Sequence, residues 1–246
     1  MAKVIDGYCI PGTERDTVLS AHNLIGLMDE AGIDEAVIAP EDREIALLNE
    51  QGNERILALA AESHGRFLPS CTVNPWHGKQ AIQIVKDAVD RGAKMLVLAP
   101  ALQGFLPGDE VLEDLLIETA AMRLPVYFHT GPHSQGAPSQ VALLAESHPE
   151  SRIIVGHCGV TDYVGDMAAI LAKRLDNLWF ELSHVRPWRL PSLLNEADES
   201  RLIYGSSAPR NDLKFEFGQF SRNWPVDRHP GTYGGNIEQL FGEVRG

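Results

Sequence analysis

This chain has few cysteines, no long apolar run and a shortage of basic residues. Only three cysteines occur in 246 residues, and no two form a CxxC pair, which argues against a disulfide framework. We interpret Cys9, Cys71 and Cys158 as reduced thiols. No apolar run approaches the roughly 20 residues that span a bilayer. With 21 basic and 34 acidic residues, the net charge of −13 disfavours nucleic acid and anionic membranes as partners.

The composition that remains is that of a globular protein. Hydrophobic residues make up 44% of the chain and charged residues 22%. The opening MAKVIDGY has no apolar segment typical of a secretory signal, so we expect a cytoplasmic protein. The length fits two average domains or one large barrel, and we see no linker or repeat. We therefore predict a single domain over residues 1–246.

Eight short apolar runs, rich in β-branched and aromatic residues, recur every 25 to 35 residues or so. The runs are VIDGYCI (4–10), EAVIAP (35–40), RFLPSCTV (66–73), AKMLVLAP (93–100), PVYFHTG (125–131), RIIVGHCG (152–159), LWFELS (178–183) and RLIYGSS (201–207). Amphipathic segments lie between them, such as the one from Leu19 to Met28, which ends before Gly32. This alternation predicts an α/β protein with a parallel sheet that closes into a single (β/α)₈ TIM barrel. A doubly wound open sheet is the alternative.

Polar residues cluster where these predicted strands end, which is where barrel active sites form. They are Tyr8, His129, His157, Ser183, His184, Ser206 and Ser207. Any one histidine could simply cap its strand. His129 and His157 stand out because both occupy the same place in adjacent units, each followed within two residues by glycine, which leaves a catalytic role open beside the packing role.

Three arginines lie in loops on the same predicted side of the barrel: Arg186, Arg189 and Arg210. A guanidinium matches a carboxylate, so the cluster favours a small anionic molecule as ligand. The alternative is that each arginine only solvates the surface. Trp188 could line the pocket or a subunit interface, and the latter would make the protein a homo-oligomer.

Several blocks of the sequence resemble the amidohydrolase-related family. The blocks are LIGLMDEAGIDEAVIAP, GRFLPSCTVNP, LPVYFHTG, RIIVGHCG, NLWFELS, RLIYGSSAP and GNIEQLFG, and they span nearly the whole chain in order. This group includes aminocarboxymuconate-semialdehyde decarboxylase, resorcylate decarboxylases and pyrone-dicarboxylate lactonase. The resemblance implies a barrel whose strand ends hold a metal that activates water or polarises a carbonyl.

The family's metal positions are only partly retained. The resemblance places a His-x-His pair on the first strand, a lysine or histidine on the fourth, histidines on the fifth and sixth, and an aspartate after the eighth. Only His129 and His157 match this pattern. The other positions carry Tyr8, Ile10, Val97, Ala99 and Ser207.

Two histidines are too few for a catalytic zinc, which usually takes three protein ligands. Strand alternation turns Cys9 away from the face of Tyr8 and Ile10, whereas Asp6 should share that face deeper in the barrel. We therefore expect no cofactor and no tightly bound metal. A weak divalent zinc or manganese on His129 and His157 is the alternative.

Two functions fit these residues. The first is an amidohydrolase-like hydrolase or decarboxylase acting on a small carboxylate-bearing lactone, amide or acid. In it His157 or His129 is the general acid or base, and Tyr8 donates to a developing oxyanion. Arg186, Arg189 or Arg210 grips the substrate, with His184, Ser207 and Trp188 as further substrate-binding candidates. The second is a non-catalytic barrel that binds a small molecule or a partner, which the missing ligands favour and the two retained histidines disfavour.

Overall fold

Eight parallel strands form one sheet, with each strand hydrogen-bonded to the next along the chain. The computed structural model describes residues 3–14, 16–131, 134–157, 173–185 and 198–246. The barrel strands are β1 (Ile5–Cys9), β4 (Glu35–Ile38), β5 (Phe67–Thr72), β6 (Met95–Leu98), β7 (Val126–His129), β8 (Ile153–Gly156), β9 (Leu178–Glu181) and β10 (Leu202–Ile203). Each lies within one of the eight predicted runs.

Backbone hydrogen bonds join the last strand segment to the first. The amide of Ser207 donates to the carbonyl of Tyr8 over 2.9 Å, and the amide of Ile10 donates to the carbonyl of Ala208 over 2.7 Å. The sheet therefore curls into a nearly closed barrel, and the predicted TIM-barrel fold is confirmed.

Helices cover the outside of the barrel between its strands. Among the described residues, the helices that follow a strand are α1 (Ala21–Ala31), α2 (Asp42–Leu47), α3 (Asn49–Glu62), α4 (Lys79–Asp90), α5 (Pro100–Gln103), α6 (Glu113–Ala121), α7 (Pro138–Ser147), α8 (Leu213–Asn223) and α9 (Asn236–Gly242), the last two after β10. In the described ranges, none of the helices combines the length and the apolar character that crossing a membrane requires.

The first helix begins later than its apolar pattern predicts. Ser20 caps the helix by accepting a hydrogen bond from the amide of Asn23, and Gly32 ends it in the left-handed conformation. Leu19 lies outside the helix, in a small antiparallel hairpin of β2 (Gly12–Glu14) and β3 (Thr17–Leu19). This hairpin follows β1 directly and carries Glu14 to the carboxyl edge of the sheet.

An irregularity in β1 decides which side chains point into the barrel. Tyr8 and Ile10 pack with Ile5 in the interior cluster, and Cys9 packs with the helix-facing core, as the alternation predicts. The register shifts between Asp6 and Cys9. Because the shift breaks the two-residue period, Ile5 takes the interior place expected for Asp6. Asp6 instead accepts hydrogen bonds from the amides of Tyr8 and Ser206, so its predicted orientation was wrong.

Candidate active site

A cavity of about 660 Å³ opens at the carboxyl ends of the barrel strands. Charged and titratable side chains line this cavity, among them Glu14, Asp42, His129, His157, His184 and Arg210. They come from the hairpin, the start of α2 and the ends of β7, β8, β9 and β10. The fold therefore gathers at one rim residues that lie up to almost 200 positions apart in the sequence.

The two central histidines are neighbours because β7 and β8 pair in register. His129 is paired with Gly156, and His157 follows directly. A side chain at Gly156 would collide with the ring of Tyr127, so only glycine fits here. His157 has a φ of 55° and His184 a φ of 68°, both in the left-handed region that non-glycine residues rarely adopt. Strained residues of this kind cluster at functional sites.

A continuous chain of hydrogen bonds runs through these histidines. The hydroxyl of Tyr8 lies 2.5 Å from Nε2 of His129, and Nδ1 of His129 lies 3.2 Å from Nε2 of His157. Nδ1 of His157 lies 2.7 Å from Oγ of Ser183. The Ser183 hydroxyl donates to Oε2 of Glu181 over 2.8 Å. Five side chains from four strand ends are thereby linked.

The groups at Glu181 set the direction of this chain. Its carboxylate accepts from the amide of His157 (3.0 Å), the amide of Ser183 (2.7 Å), the Ser183 hydroxyl and the Tyr127 hydroxyl (2.8 Å). Since Ser183 gives its only proton to Glu181, its oxygen must accept from Nδ1 of His157. Nε2 of His157 is then an acceptor, which agrees with the Arg210 guanidinium 3.4 Å away. Each group in the chain therefore donates its proton to the next one, from Tyr8 at one end to Glu181 at the other.

Glu181 is 1% exposed. Burial raises the pKa of Glu181, whereas the hydrogen bonds from His157, Tyr127 and Ser183 lower it. Four donors around one carboxyl group are what an ionised acid requires, so we assign it as a carboxylate. Its Oε2 lies 3.6 Å from Nδ1 of His157, close enough to stabilise a positive charge on that ring.

Both central histidines are neutral in the resting protein. Burial, with a smaller contribution from the charge of Arg210, lowers the pKa of His129 to about 3. Burial, followed by the neighbouring His129 and His184, lowers the pKa of His157 well below its usual value. Each ring therefore carries one proton, as the chain of hydrogen bonds requires.

Arg210 is the described arginine that reaches the cavity beside the histidines. Its Nε and Nη2 donate to Oε1 of Glu14 over 3.1 and 2.9 Å, and Nη2 also donates to Asp42. Nη1 is left to face His157. Two acids thus share one guanidinium, and most of its charge is already matched by the protein.

Some of the site residues predicted from the sequence line the cavity, and others do not. His129, His157 and Tyr8 are joined directly, and His184 and Arg210 line the same cavity. Tyr8 is fully buried behind His129 and does not line the cavity. Ser207 is also buried, with a φ of 58° and a hydroxyl that has no partner among the described residues. The remaining candidates, Arg186, Trp188 and Arg189, lie outside the described residues.

Sequence reasoning missed several residues that the site uses. Glu181 carried a usable signal, because an acid inside the apolar run LWFELS must be satisfied if that strand is buried. Tyr127, which stacks on Tyr8 with ring centroids 4.6 Å apart, looked like an ordinary core residue. Glu14 and Asp42 lie beyond strand ends and gave no comparable signal.

The family resemblance implies a metal ion at these strand ends, which would need several His, Cys, Asp or Glu side chains as ligands. Across the described part of the chain, no three His, Cys, Asp or Glu side chains are arranged to hold a metal ion. Both ring nitrogens of His129 and both of His157 are already hydrogen-bonded inside the protein. These residues do not fit a metal centre, and we derive no step through one.

The fold and the rim define a class of protein: a parallel α/β barrel with its polar side chains gathered at the carboxyl ends of the strands. A sequence model of the Amidohydro_2 family, described as amidohydrolase, matches residues 26–241. The chain therefore belongs to this amidohydrolase family, which confirms the resemblance seen in the sequence. No curated protein sequence matches the chain.

Solved structures share the barrel at low sequence identity. An uncharacterised TIM-barrel protein from Bordetella bronchiseptica is 18% identical with a TM-score of 0.79, covering 98% of this chain and 99% of that one. The 2,6-dihydroxybenzoate decarboxylase from Rhizobium is 16% identical with a TM-score of 0.75, covering 98% and 99%. The 5-carboxyvanillate decarboxylase from Novosphingobium aromaticivorans, solved with bound manganese, is 16% identical with a TM-score of 0.76, covering 98% and 97%. These likenesses show a common fold.

Proposed function

We propose that this protein is an amidohydrolase-family enzyme that hydrolyses a small carboxylate-bearing lactone or amide without a metal. The observation that carries the proposal is the position of His157, between the buried carboxylate of Glu181 and the cavity. Decarboxylation of a small acid is the related reaction that the two decarboxylases of the same fold bring into consideration.

His157 is the general base of the proposed reaction. A water in the cavity gives a proton to Nε2 as its oxygen attacks the substrate carbonyl, and Nδ1 of His129 must release its hydrogen bond to that nitrogen in the same step. The positive charge that forms on the ring is stabilised through Ser183 by Glu181. This arrangement places a buried acid behind a histidine, as in the Ser-His-Asp triad, with a serine hydroxyl inserted between them.

The same burial that keeps His157 neutral also makes it a weak base in the empty cavity. An anionic substrate brings a negative charge close to the ring and raises its proton affinity. The base would therefore be strongest when a carboxylate-bearing substrate is bound, which supports that substrate class over a neutral one.

Arg210 supplies the electrophilic side of the site. Its Nη1 is the guanidinium nitrogen that Glu14 and Asp42 leave free, and it faces the cavity beside His157. A donor in this place stabilises the oxyanion that forms at the attacked carbonyl. Because Arg210 is already paired with Glu14 and Asp42, we expect the substrate carboxylate to need Arg186 or Arg189 as well, and His184, which lines the cavity, is a candidate for orienting it.

A non-catalytic small-molecule-binding barrel is the second candidate. The observation in its favour is that the hydrogen-bond chain is already satisfied internally, from Tyr8 to Glu181. A network with no spare nitrogen is a stable cavity floor as much as a reactive one.

A screen of small lactones, amides and aromatic acids, each run with and without a chelator, tests these proposals. We expect turnover that survives the chelator and falls at least about 100-fold in the His157→Gln variant. Ser183→Ala should lower kcat more than it raises KM, because it uncouples His157 from Glu181. Asn177→Ala, a change to a partly buried polar residue near the opposite end of the strands, is the control and should keep the wild-type rate. Saturable binding without turnover would favour the second candidate.

A further inference from the structure

Glu14 has a buried oxygen without a hydrogen-bond partner in the part of the chain that the structure describes. The side chain lines the cavity and the residue is 3% exposed. Its Oε1 accepts two hydrogen bonds from Arg210, whereas Oε2 is buried and has no hydrogen-bond partner among the described residues. Buried polar atoms are almost always paired, so an unpaired one on a side chain that lines a cavity indicates a partner supplied by a ligand.

The charges around Glu14 favour a proton on that oxygen. Glu14 and Asp42 both contact Arg210, which can balance only one of them. The side chain of Glu14 is 2% exposed and that of Asp42 is 33% exposed, so ionisation of Glu14 is the costlier of the two. Burial raises the pKa of Glu14, the charge of Arg210 opposes this, and Asp42 adds to it. Because Oε1 already accepts twice, the proton belongs on Oε2.

The same guanidinium touches both Glu14 and His157. Nε and Nη2 of Arg210 bind Glu14, and Nη1 faces Nε2 of His157. One acid in its protonated form and one neutral imidazole therefore flank the place where a substrate carbonyl meets Nη1. Environments that push two pKa values in opposite directions mark a general acid and a general base. Within the described ranges, the other titratable residues lining this cavity are Asp16, His129 and His184.

We propose that Glu14 is the proton donor of this site, an inference that rests on the proposed hydrolysis. The water oxygen bonds to the carbonyl carbon while His157 takes the water proton at Nε2. The bond from that carbon to the leaving oxygen or nitrogen then breaks, and the leaving atom takes the proton from Oε2 of Glu14. Glu14 is left as a carboxylate beside Arg210. After the products leave, the His157 proton returns to Glu14 through solvent.

Infrared difference spectroscopy of the resting protein tests the first half of the proposal. At about pH 6 an ordinary glutamate is roughly 2% protonated. We expect the wild-type protein to show the carbonyl stretch of a protonated carboxyl group that Glu14→Gln removes. Asp42→Asn should also abolish it, because Arg210 would then pair with an ionised Glu14. A spectrum in which Glu14→Gln removes only a carboxylate band would overturn the proposal.

The rates on two probes test the second half. δ-Valerolactone has a poor leaving group that needs a proton, and 4-nitrophenyl acetate has a good one that does not. We expect Glu14→Gln to slow the lactone about 100-fold and the aryl ester less than about threefold. The exposed, distant Glu62→Gln is the control and should change neither rate. Equal losses on both probes would overturn the acid role. Neither probe carries the carboxylate of the proposed substrate, so if the wild-type protein turns over neither one, the proposed hydrolysis is decided by the substrate screen and the infrared band alone decides whether Glu14 holds its proton.

Discussion

Acidification from about pH 7.5 to about pH 5.5 should destabilise this protein through His129 and His157. Burial lowers the pKa of His129 to about 3 and the pKa of His157 well below its usual value. In the unfolded chain both side chains titrate near about 6.5. Because the folded pKa values are depressed, the stability linked to them is fully present above about pH 6.5 and is lost as the pH falls towards about 3.

The size of the effect follows from proton linkage. Over this range an unfolded histidine goes from about 10% to about 90% protonated, whereas the folded one stays neutral. This lowers the free energy of unfolding by about 1.4 kcal/mol for each histidine, or about 3 kcal/mol for both. Burial raises the pKa of Glu14 and of Glu181, and proton uptake by these acids opposes the loss. The contribution of a histidine is therefore measured by comparing how much unfolding free energy the wild-type and variant proteins lose on acidification.

Urea unfolding followed by tryptophan fluorescence at the two pH values measures that difference. His129→Gln should lose about 1.4 kcal/mol less than the wild type on acidification. Asn177→Ala is the control: it removes three hydrogen bonds to backbone carbonyls without removing a titrating group, so its pH dependence should match the wild type. An identical pH dependence in His129→Gln and wild type would refute the reasoning. Ring ¹⁵N shifts showing a charged His129 in the folded protein at about pH 5.5 would do the same.

Three further predictions concern packing, capping and metal. Gly156→Ala should lower the free energy of unfolding by about 1–3 kcal/mol, because the new methyl group displaces the Tyr127 ring and breaks its hydrogen bond to Glu181. An unchanged thermal midpoint would contradict the close contact between Gly156 and Tyr127. Asp212→Ala should cost about 1 kcal/mol by removing the cap on the amide of Phe215, with Asp212→Asn as a near-neutral comparison in urea unfolding. Elemental analysis should find less than about 0.1 equivalent of zinc or manganese, and one equivalent would contradict the donor-set argument.

The barrel was predictable because its signals are local and repeat. Each strand run is apolar on both faces, as a parallel strand buried under helices must be, and each ends in a break. The start of α1 was misjudged because Leu19 continues the helical spacing, whereas the cap at Ser20 decides the boundary. The prediction that the Asp6 side chain points into the barrel was wrong because of a register shift in β1. That shift depends on pairing with β4, which no single strand sequence reveals.

The sequence predicted where the candidate site lies, but it predicted only some of the residues and contacts that form it. His129 and His157 follow adjacent strands at the same point, so the topology alone brings them together. The contacts of Arg210 depend on where the hairpin carries Glu14, and no sequence pattern fixes that. The direction of the hydrogen-bond chain depends on the protons that meet at Glu181, a property of the folded site.

Tyr8 orders the protons on which the proposed chemistry depends. At the position where relatives are expected to place a metal-binding histidine, its hydroxyl donates to Nε2 of His129. That bond fixes the proton of His129 on Nδ1, from which it is donated to His157. His129 is thereby held as a neutral ring rather than offered as a ligand, and Nε2 of His157 is kept free of a proton. Tyr8→Phe should let the proton of His129 move between its two ring nitrogens, which ring ¹⁵N shifts would detect.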